Sequence, residues 1–429
     1  MRLYAVVGKP VFHSKSPQVF RSVFAKYNLD ANYLAFAADS AYEAINVAQK
    51  IGMAGLNVTS PYKEDVLKFV DQKDNITETI GAANTLIFIG GKTFAFNTDI
   101  QGVRGALIRN NAEINGKKVA ILGAGGSAKA AAFSLSEFTL PVIFNRSVNR
   151  AEKIAKQYDG LAYSLSEVEK LAEMDVIISC LPDTAGLEYE KLLKEGQTLL
   201  DANYVGASRR REALMERGVK YIDGREWLIF QAIYSIRHFF GIEVSYDTLR
   251  DPAYESRKRN ELICLVGFMG SGKTLIGRRL AERIKVEFID TDELIEKKEG
   301  MSVERIFAIK GEAYFRRVEE DIVIQVIKNK KKAVISLGGG SVLSKKVRQV
   351  LKEHAITVWL WAEKETILKR TIKEANRPLL KTDSLELLME KRLPLYAQMA
   401  DLLLSTEDKT PETITDRLKM EIEYGLNSD

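Results

Sequence analysis

The stretch KKVAILGAGG (residues 117–126) decides how this chain is organised. Its first six residues, KKVAIL, are a short run rich in β-forming side chains. The glycine-rich residues GAGG follow, and a helix-forming stretch comes after them. A second run, LICLV (residues 262–266), ends in GFMGSGKT (residues 267–274) and leads into another helix-forming stretch. Strands that alternate with helices predict α/β domains with parallel sheets. The two glycine loops differ in type, so the units are not copies of one repeat.

Composition narrows the class of protein. The 429 residues are 46% hydrophobic and 28% charged, which excludes wholesale disorder and predicts roughly three domains. A net charge of +5 over this length is too weak to indicate a nucleic-acid or membrane partner. Two cysteines cannot build a disulfide framework or a multi-cysteine zinc site, so a reducing, cytoplasmic compartment is predicted. We also expect no targeting segment and no membrane span.

The first glycine loop predicts a dinucleotide-binding turn rather than a simple tight turn. Its glycines let the backbone approach a pyrophosphate, and the next helix begins with free N–H groups. The following strand ends at Asn145-Arg146-Ser147, where an NAD site would carry an acidic residue. Arg146 and Arg150 instead suit a 2′-phosphate, so NADP is favoured unless Arg146 is a plain surface charge. The predicted NADP-binding residues are Gly123, Ala124, Gly125, Gly126, Ser127, Ala128, Asn145, Arg146, Ser147 and Arg150.

Polar clusters precede this loop at the ends of strand-like runs. They are residues 13–17 (HSKSP), residues 57–63 (NVTSPYK), Asn84, and residues 97–99 (NTD). In the first cluster we expect Ser16 as the N-cap of a helix and Pro17 as its first helical residue; a capped helix and nothing more is the alternative. Repeated polar side chains at strand ends predict a site at the rim of a sheet.

The second glycine loop has the complete pattern of a phosphate-binding loop. Its backbone N–H groups would cradle phosphates, Lys273 would reach the β and γ oxygens, and Thr274 would bind Mg²⁺. The next strand-like run ends at Asp290-Thr291-Asp292. These two carboxylates serve a metal and a substrate hydroxyl, or they cap the helix that follows.

Further residues of this half indicate a small anionic substrate. Arg316 lies beside an apolar helical stripe, with Glu319 or Glu320 as its ordinary partner, and Arg392 falls within another such stripe, which we expect Pro394 to break. Two inward arginines suit a small carboxylate better than a nucleobase. Residues 338–340 (GGG) allow close backbone approach or form a turn, and Arg377 could close on a transferring phosphate.

Residues 1–245 resemble shikimate dehydrogenases. The resemblance rests on the polar clusters, on residues 8–10 (GKP) and 81–85 (GAANT), on the first glycine loop and on Gln231. It implies reversible NADPH-dependent reduction of 3-dehydroshikimate to shikimate, with Lys63 and Asp99 as the catalytic pair, unless they form an ordinary ion pair. By the same resemblance, the substrate is held by Ser14, Ser16, Thr59, Lys63, Asn84, Asp99, Tyr204 and Gln231. Cys180, the segment 201–204 and Trp227 depart from the family pattern on the nicotinamide side.

Residues 260–425 are similar to shikimate kinases, which implies γ-phosphoryl transfer from ATP to the 3-hydroxyl of shikimate. On matching positions, Asp292 would orient or deprotonate that hydroxyl, Arg316 and Arg392 would hold the carboxylate, and Arg377 would act at phosphorus. The substrate set is completed by Gly338, Gly339 and Gly340. The implied ATP-binding residues are Gly270, Ser271, Gly272, Lys273, Thr274, Arg370 and Arg377, with Thr274 and Asp290 for Mg²⁺.

The sequence therefore predicts a bifunctional α/β enzyme of aromatic amino-acid biosynthesis that uses NADP(H), ATP and Mg²⁺ on small-molecule substrates. The predicted domains are a substrate-binding domain (1–100 plus 225–245), a Rossmann NADP-binding domain (101–224), a solvated linker (246–260) and a P-loop domain like those of nucleoside monophosphate kinases (261–429). Two alternatives remain open. One joins a quinate-type dehydrogenase to another small-molecule kinase, such as a gluconate kinase. The other is a metabolite-sensing protein that has lost turnover.

Overall fold

A computed structural model describes residues 1–182, 189–256, 260–371 and 382–426. In these ranges the chain forms two sheets, one of 11 strands and one of six, with helices against them. Parallel pairing predominates in both sheets, as the alternation of strand and helix predicts. Among the described helices, none has the length and apolar character needed to cross a bilayer.

The N-terminal part contributes six strands to the larger sheet, in the order β2-β1-β3-β5-β6-β4. These strands are β1 (Arg2–Val7), β2 (Ala31–Phe36), β3 (Gly55–Val58), β4 (Gln72–Lys73), β5 (Thr85–Ile89) and β6 (Lys92–Phe96). The accompanying helices are α1 (Ser16–Lys26), α2 (Ala41–Lys50), α3 (Asn75–Ile80) and α4 (Asp99–Arg109). Only β5 runs antiparallel to its two neighbours, β3 and β6.

The smaller sheet is entirely parallel, in the order β12-β11-β10-β7-β8-β9. Its strands are β7 (Val119–Leu122), β8 (Val142–Asn145), β9 (Leu161–Ser164), β10 (Val176–Ser179), β11 (Thr198–Asp201) and β12 (Lys220–Ile222). Its helices are α5 (Gly126–Leu135), α6 (Val148–Gln157) and α7 (Ala207–Met215). The next helix, α8 (Gly224–Phe240), leaves this sheet and packs against α4.

The C-terminal part adds five parallel strands to the larger sheet, in the order β14-β15-β13-β16-β17. They are β13 (Glu261–Val266), β14 (Glu287–Asp290), β15 (Lys332–Ser336), β16 (Ile356–Trp361) and β17 (Leu402–Ser405). The helices are α10 (Lys273–Ile284), α11 (Thr291–Glu299), α12 (Val303–Lys310), α13 (Glu312–Asn329), α14 (Lys345–His354), α15 (Lys364–Thr371), α16 (Thr382–Met399) and α17 (Pro411–Leu426).

The two parts of the larger sheet meet where β17 pairs with β2 in parallel. The Ala35 N–H donates to the Asp401 carbonyl and the Ala37 N–H to the Leu403 carbonyl, each at 2.9 Å. Apolar packing continues across the junction on both faces of the sheet, with Phe36 and Leu403 in one core and Ala35 in the other. The N-terminal and C-terminal halves are therefore joined by a shared sheet as well as by the chain between them.

The connection between the halves differs from the solvated linker predicted over 246–260. Residues Tyr246–Tyr254 form a helix, α9, that packs against α1 and α8 and buries Leu249 and Ala253 completely. Leu249 and Ala253 are four positions apart and therefore lie on the same side of the helix. The polar composition of the segment masked this pattern in the sequence. The basic run 257–259 lies outside the described residues.

A second expectation, that Pro394 breaks its helix, is wrong. The helix α16 continues through Pro394 to Met399. A proline removes one backbone hydrogen bond of the helix, and tertiary packing offsets the cost of that loss. Leu385 and Tyr396, on either side of Pro394, are both buried. Arg392 is therefore held on a continuous helix.

Asn32 offers a test of the junction between the halves. Its buried side-chain amide donates to the Ala397 carbonyl of α16 at 2.6 Å. Replacing Asn32 by Ala leaves that carbonyl without its donor, at a cost of about 1–2 kcal/mol. We expect the first thermal unfolding transition, followed by circular dichroism, to move to lower temperature. The exposed Asn149 of α6, replaced by Ala, should change stability by less than about 0.5 kcal/mol. Equal shifts for the two variants would contradict this role.

Candidate active sites

The first site is built around an ion pair between Lys63 and Asp99. Lys63 follows β3 and Asp99 begins α4, and Lys63 Nζ lies 2.6 Å from Asp99 Oδ2. The side chains are only 11% and 1% exposed. Lys63 Nζ also donates to Ser127 Oγ at 2.9 Å, at the start of α5. The ammonium group therefore stands between the rim of the larger sheet and the first glycine loop.

Trp227 of α8 is a partner of Asp99 that the sequence analysis did not assign to the site. Its indole Nε1–H donates to Asp99 Oδ1 at 3.0 Å, and the ring is buried. Asp99 therefore accepts from Lys63 on one carboxylate oxygen and from Trp227 on the other. This arrangement fixes the orientation of the carboxylate from two sides.

Asn84 organises the polar rim next to this pair. Its Oδ1 accepts from the Thr98 N–H at 2.8 Å, and its Nδ2 donates to Gln231 Oε1 at 3.0 Å. Asn57, which the sequence analysis placed in a cluster but not in the site, donates to Ser235 Oγ at 2.9 Å. These amides connect the ends of β3, β5 and β6 to α8.

The cluster at residues 13–17 begins α1 one position earlier than predicted. Ser16 is the first helical residue and Lys15 is in the cap position, without a side-chain cap. Ser14 takes the expected capping role instead, because its Oγ accepts from the Ser16 N–H at 3.2 Å. The Lys15 N–H donates to Tyr204 OH at 3.1 Å, which brings the end of the smaller sheet to this loop.

One cavity of about 120 Å³ gathers these groups. Every residue predicted to hold the first substrate lines it: Ser14, Ser16, Thr59, Lys63, Asn84, Asp99, Tyr204 and Gln231. Ser127, Trp227 and Asn57 line it as well. A small cavity walled by hydroxyl, amide and ammonium groups can bind a compact polyhydroxy acid.

The first glycine loop lies beside Lys63. Gly123 has a positive φ of 111°, and a Cβ atom on Gly126 would stand 2.7 Å from the Cβ of Lys63, so a side chain at Gly126 would displace the lysine. No heavy atom outside the adjoining residues lies within 4 Å of a Cβ built on Gly125, which leaves space over the start of α5. A pyrophosphate fits this open helix N-terminus.

The predicted 2′-phosphate residues surround the same loop. Arg146 and Ser147 are exposed just after β8, and Asn145 is half-buried. Arg150 donates to the Ala124 carbonyl at 3.1 Å and to Glu64 at 3.0 Å. An exposed guanidinium beside an open glycine loop fits a nucleotide with an extra phosphate.

Cys180 stands near the Lys63–Asp99 pair at the end of β10. Burial raises the pKa of its thiol well above the ordinary value. The thiol is therefore neutral at physiological pH, and this residue packs as a small apolar group.

The second site begins with the phosphate-binding loop between β13 and α10. Gly267, Gly270 and Gly272 all have positive φ values, which suit glycine and let the loop curl. Lys273 Nζ donates to the Gly267 and Phe268 carbonyls at 3.0 Å each, so the ammonium group spans the loop. Arg370 donates to the Gly270 carbonyl at 3.3 Å and to Thr406.

Thr274 and Asp290 bring two oxygen donors together beside the phosphate-binding loop. Thr274 Oγ1 donates to Asp290 Oδ2 at 2.8 Å, so a hydroxyl and a carboxylate stand together at the phosphate end of the loop. Oxygen donors are the ligands Mg²⁺ prefers, with phosphate oxygens and water completing the set. The described residues contain no group of three or more histidine, cysteine or carboxylate side chains that could hold a metal ion.

A cavity of about 700 Å³ opens beside the loop. It is lined by the predicted second-substrate residues Asp292, Arg316, Gly338, Gly339, Gly340 and Arg392, and also by Thr274 and Asp290. Arg392 is 4% exposed, and its Nε has no hydrogen-bond partner among the described residues. A buried guanidinium N–H in a cavity wall indicates an anionic ligand.

Arg316 is already paired with two carboxylates. Its NH1 donates to Glu319 at 2.6 Å and its NH2 to Glu312 at 3.2 Å. Glu319 was named in the sequence analysis only as an ordinary partner, yet it is 2% exposed and also accepts from Ser341 Oγ at 2.8 Å. The guanidinium group of Arg316 also packs closely on Gly340, so a side chain at that position would have to displace it. Arg377 lies outside the described residues.

Together the two sites define an α/β oxidoreductase joined to a P-loop phosphotransferase. Family profiles agree with this class. The profile of the shikimate dehydrogenase substrate binding domain matches residues 6–86, and the profile named Shikimate / quinate 5-dehydrogenase matches residues 106–197. The shikimate kinase profile matches residues 269–423. The chain belongs to the shikimate dehydrogenase family in its N-terminal part and to the shikimate kinase family in its C-terminal part, as a fusion of the two.

Individual relatives show the same division. The shikimate dehydrogenase (NADP(+)) of Pyrococcus abyssi is 35% identical over 261 residues, which are 59% of this chain and 98% of that protein. The shikimate kinase of Francisella philomiragia is 39% identical over 164 residues, 37% of this chain and 93% of that protein. The solved shikimate dehydrogenase of Aquifex aeolicus covers 59% of this chain and 98% of its own, with a TM-score of 0.55 and 28% identity.

Trp227 is expected to matter for the first activity through Asp99. Phenylalanine at this position keeps most of the apolar bulk but removes the donor to a buried carboxylate. We expect Trp227→Phe to lower kcat of shikimate oxidation about tenfold, the size of a lost charge-assisted hydrogen bond. Kinase turnover in the same preparation serves as the control and should not change. An unchanged dehydrogenase kcat would show that the indole has no part in orienting Asp99.

Proposed function

We propose that the chain reduces 3-dehydroshikimate to shikimate with NADPH and then transfers the γ-phosphoryl group of ATP to the 3-hydroxyl of shikimate. The observation that carries this proposal is that each cavity is lined by the complete set of residues predicted to hold its substrate. The product of the first reaction is the acceptor of the second. We further assign the predicted domains, 1–100 with 225–245, 101–224 and 261–429, to substrate binding, NADP binding and phosphoryl transfer.

In the first reaction, Lys63 and Asp99 handle the proton. Bound NADPH supplies hydride, and reduction of a ketone leaves an alkoxide that needs a proton and positive charge. Lys63 can supply both, while Asp99 holds the ammonium group in place at 2.6 Å and Trp227 holds Asp99. Ser14 and Ser16, which line the same cavity, would bind the carboxylate of the acid. Thr59, Asn84 and Gln231 would hold its hydroxyl groups.

In the second reaction, Asp292 receives the proton of the attacking hydroxyl or orients that group. Arg392 binds the substrate carboxylate through its buried guanidinium, and Arg316, steadied by Glu319, completes that anion site. Lys273 would contact the β and γ oxygens of ATP. Mg²⁺ held at Thr274 and Asp290 would neutralise charge on the phosphates. Arg377 is proposed as the residue that closes on the transferring group.

The two activities should be separable by single substitutions in one assay. With 3-dehydroshikimate, NADPH, ATP and Mg²⁺ in one tube, we expect NADPH oxidation and formation of shikimate 3-phosphate. Lys63→Ala should abolish only the dehydrogenase activity: NADPH oxidation stops, no shikimate 3-phosphate forms from 3-dehydroshikimate, and phosphorylation of added shikimate stays intact. Lys273→Ala should abolish only phosphorylation. The changes are followed by absorbance of NADPH and by chromatography of the products.

Matched controls exist for both lysines. Lys68, near Lys63 but 70% exposed, and Lys297, exposed on α11, should tolerate alanine without loss of either activity. If either active-site substitution removed both activities from a folded chain, the assignment of two separate sites would be wrong.

The choice of NADP over NAD is proposed to depend on Arg146. Arg146→Ala removes the exposed guanidinium after β8 and with it a charge-assisted contact to the 2′-phosphate. We expect KM for NADP+ to rise about tenfold or more while KM for NAD+ stays unchanged. Steady-state kinetics with both nucleotides measure the ratio. If KM for NADP+ and KM for NAD+ rose equally, the substitution would have disturbed the loop itself, and Arg146 would not recognise the 2′-phosphate.

A further inference from the structure

The last helix of the kinase part, α17, lies against a loop of the dehydrogenase part. That loop, Gly8–Ser16, runs from the end of β1 to the start of α1 and carries Ser14 and Ser16 of the first cavity. The contact is made by side chains that are themselves buried, since Arg417 is 4% exposed and Glu421 is 0% exposed. It is therefore part of the interior of the protein.

Glu421 binds the middle of the loop. Its Oε2 accepts from the Val11 N–H at 2.9 Å and from the Phe12 N–H at 2.8 Å. Two adjacent backbone amides on one carboxylate oxygen hold a loop strongly, because hydrogen bonds to a charged acceptor are about twice as strong as neutral ones. The conformation of Val11 and Phe12 is thus set by a side chain more than 400 positions away in the sequence.

Arg417 binds the beginning of the same loop. Its NH2 donates to the Gly8 carbonyl at 2.9 Å and to the Ala38 carbonyl at 3.1 Å, and it lies 2.9 Å from Glu421 Oε1. Gly8 in turn packs against Thr59, since a Cβ atom on Gly8 would stand 2.5 Å from Thr59 Cγ2. Thr59 lines the first cavity, so the beginning of the loop packs directly against a wall of that cavity.

A short path of hydrogen bonds leads from Glu421 to the cavity. The Val11 carbonyl accepts from the Ser14 N–H at 3.0 Å, and Ser14 Oγ accepts from the Ser16 N–H at 3.2 Å. Packing follows the same route. Phe12 lies so close to Gly425 that a side chain there would collide with its ring, and the ring of His13 meets Tyr424 edge-on at 4.8 Å.

We propose that α17 of the kinase part is a positioning element of the dehydrogenase site, in which Glu421 and Arg417 hold the Gly8–Ser16 loop so that Ser14 and Ser16 face the bound acid. The inference rests on the proposed function, which gives those serines the substrate carboxylate. Glu421 does not touch the substrate. Its effect is on affinity for shikimate, and neither the cofactor nor the phosphoryl transfer depends on it.

The test compares three full-length variants with the wild-type chain. Glu421→Met keeps the length and helix propensity of the side chain but removes both acceptor oxygens. Glu421→Gln keeps one acceptor oxygen. Glu423→Met, on an exposed position of the same helix, is the matched control. For each variant, KM for shikimate, KM for NADP+ and kcat of the dehydrogenase reaction are measured together with the kinase parameters.

We expect Glu421→Met to raise the dehydrogenase KM for shikimate about tenfold, with KM for NADP+, kcat and the kinase KM for shikimate each within twofold of wild type. Glu421→Gln should fall between Glu421→Met and wild type, because the amide oxygen still accepts from the loop. Glu423→Met should match wild type. If Glu421 had only a structural role, the substitution would instead lower both activities together, without a selective rise of the dehydrogenase KM for shikimate.

A second variant acts on the same loop without changing charge. Gly425→Ala places a methyl group against Phe12, and it should also raise KM for shikimate in the dehydrogenase reaction alone. This variant decides the matter if Glu421→Met does not fold. If the folded variants have wild-type KM values, or if both activities fall equally, the inference about α17 is wrong while the proposed function stands. A wild-type chain that does not oxidise shikimate overturns the proposed function, and the inference falls with it.

Discussion

The backbone pairing of β17 with β2 is the contact on which the arrangement of the two halves depends. Each of these strands would end its own half of the sheet, with a row of unpaired N–H and C=O groups. Their pairing satisfies the N–H groups of Ala35 and Ala37 and merges the apolar cores on both faces. Because the pairing is parallel, the carboxyl ends of the strands from both halves lie along one edge of the sheet. Both sites are built at that edge, as is usual for ligands of open α/β sheets.

Geometry along this edge separates the two sites. From β13, which carries the phosphate-binding loop, to β3, which precedes Lys63, there are five steps between neighbouring strands. At ~4.8 Å per step and ~20–25° of twist, the strand ends are ~24 Å apart and turned by ~100–125°. The residues that line one cavity do not line the other. Coupling between the halves therefore has to pass through packed side chains.

The sequence predicted the parts of the sites that local patterns encode. Lys63 and Asp99 each follow a strand of the same sheet, so their clusters could be assigned to its rim, although their pairing was implied only by the family resemblance. The phosphate-binding loop is a continuous strand–loop–helix unit, which its local pattern was enough to predict. Trp227 was noted only as a departure from a family pattern, because its hydrogen bond to Asp99 spans 128 positions and indole is usually a core residue. Glu421 gave no signal at all. It lies among charged residues of an amphipathic helix, and only the fold shows that it is completely buried.

The contacts across the junction are reciprocal. Carbonyl groups at the end of a helix have no partner within the helix, and at the end of α16 two such groups are met by the other half: Asn32 donates to Ala397, and Arg21 donates to Ala400 at 2.8 Å. The helix α16 carries Arg392, so the dehydrogenase half supports the helix of the arginine that we propose binds the kinase substrate. In the opposite direction, α17 supports the loop that presents Ser14 and Ser16. Each half therefore holds an element that lines the other's cavity, and a flexible tether between two complete enzymes would not need either contact.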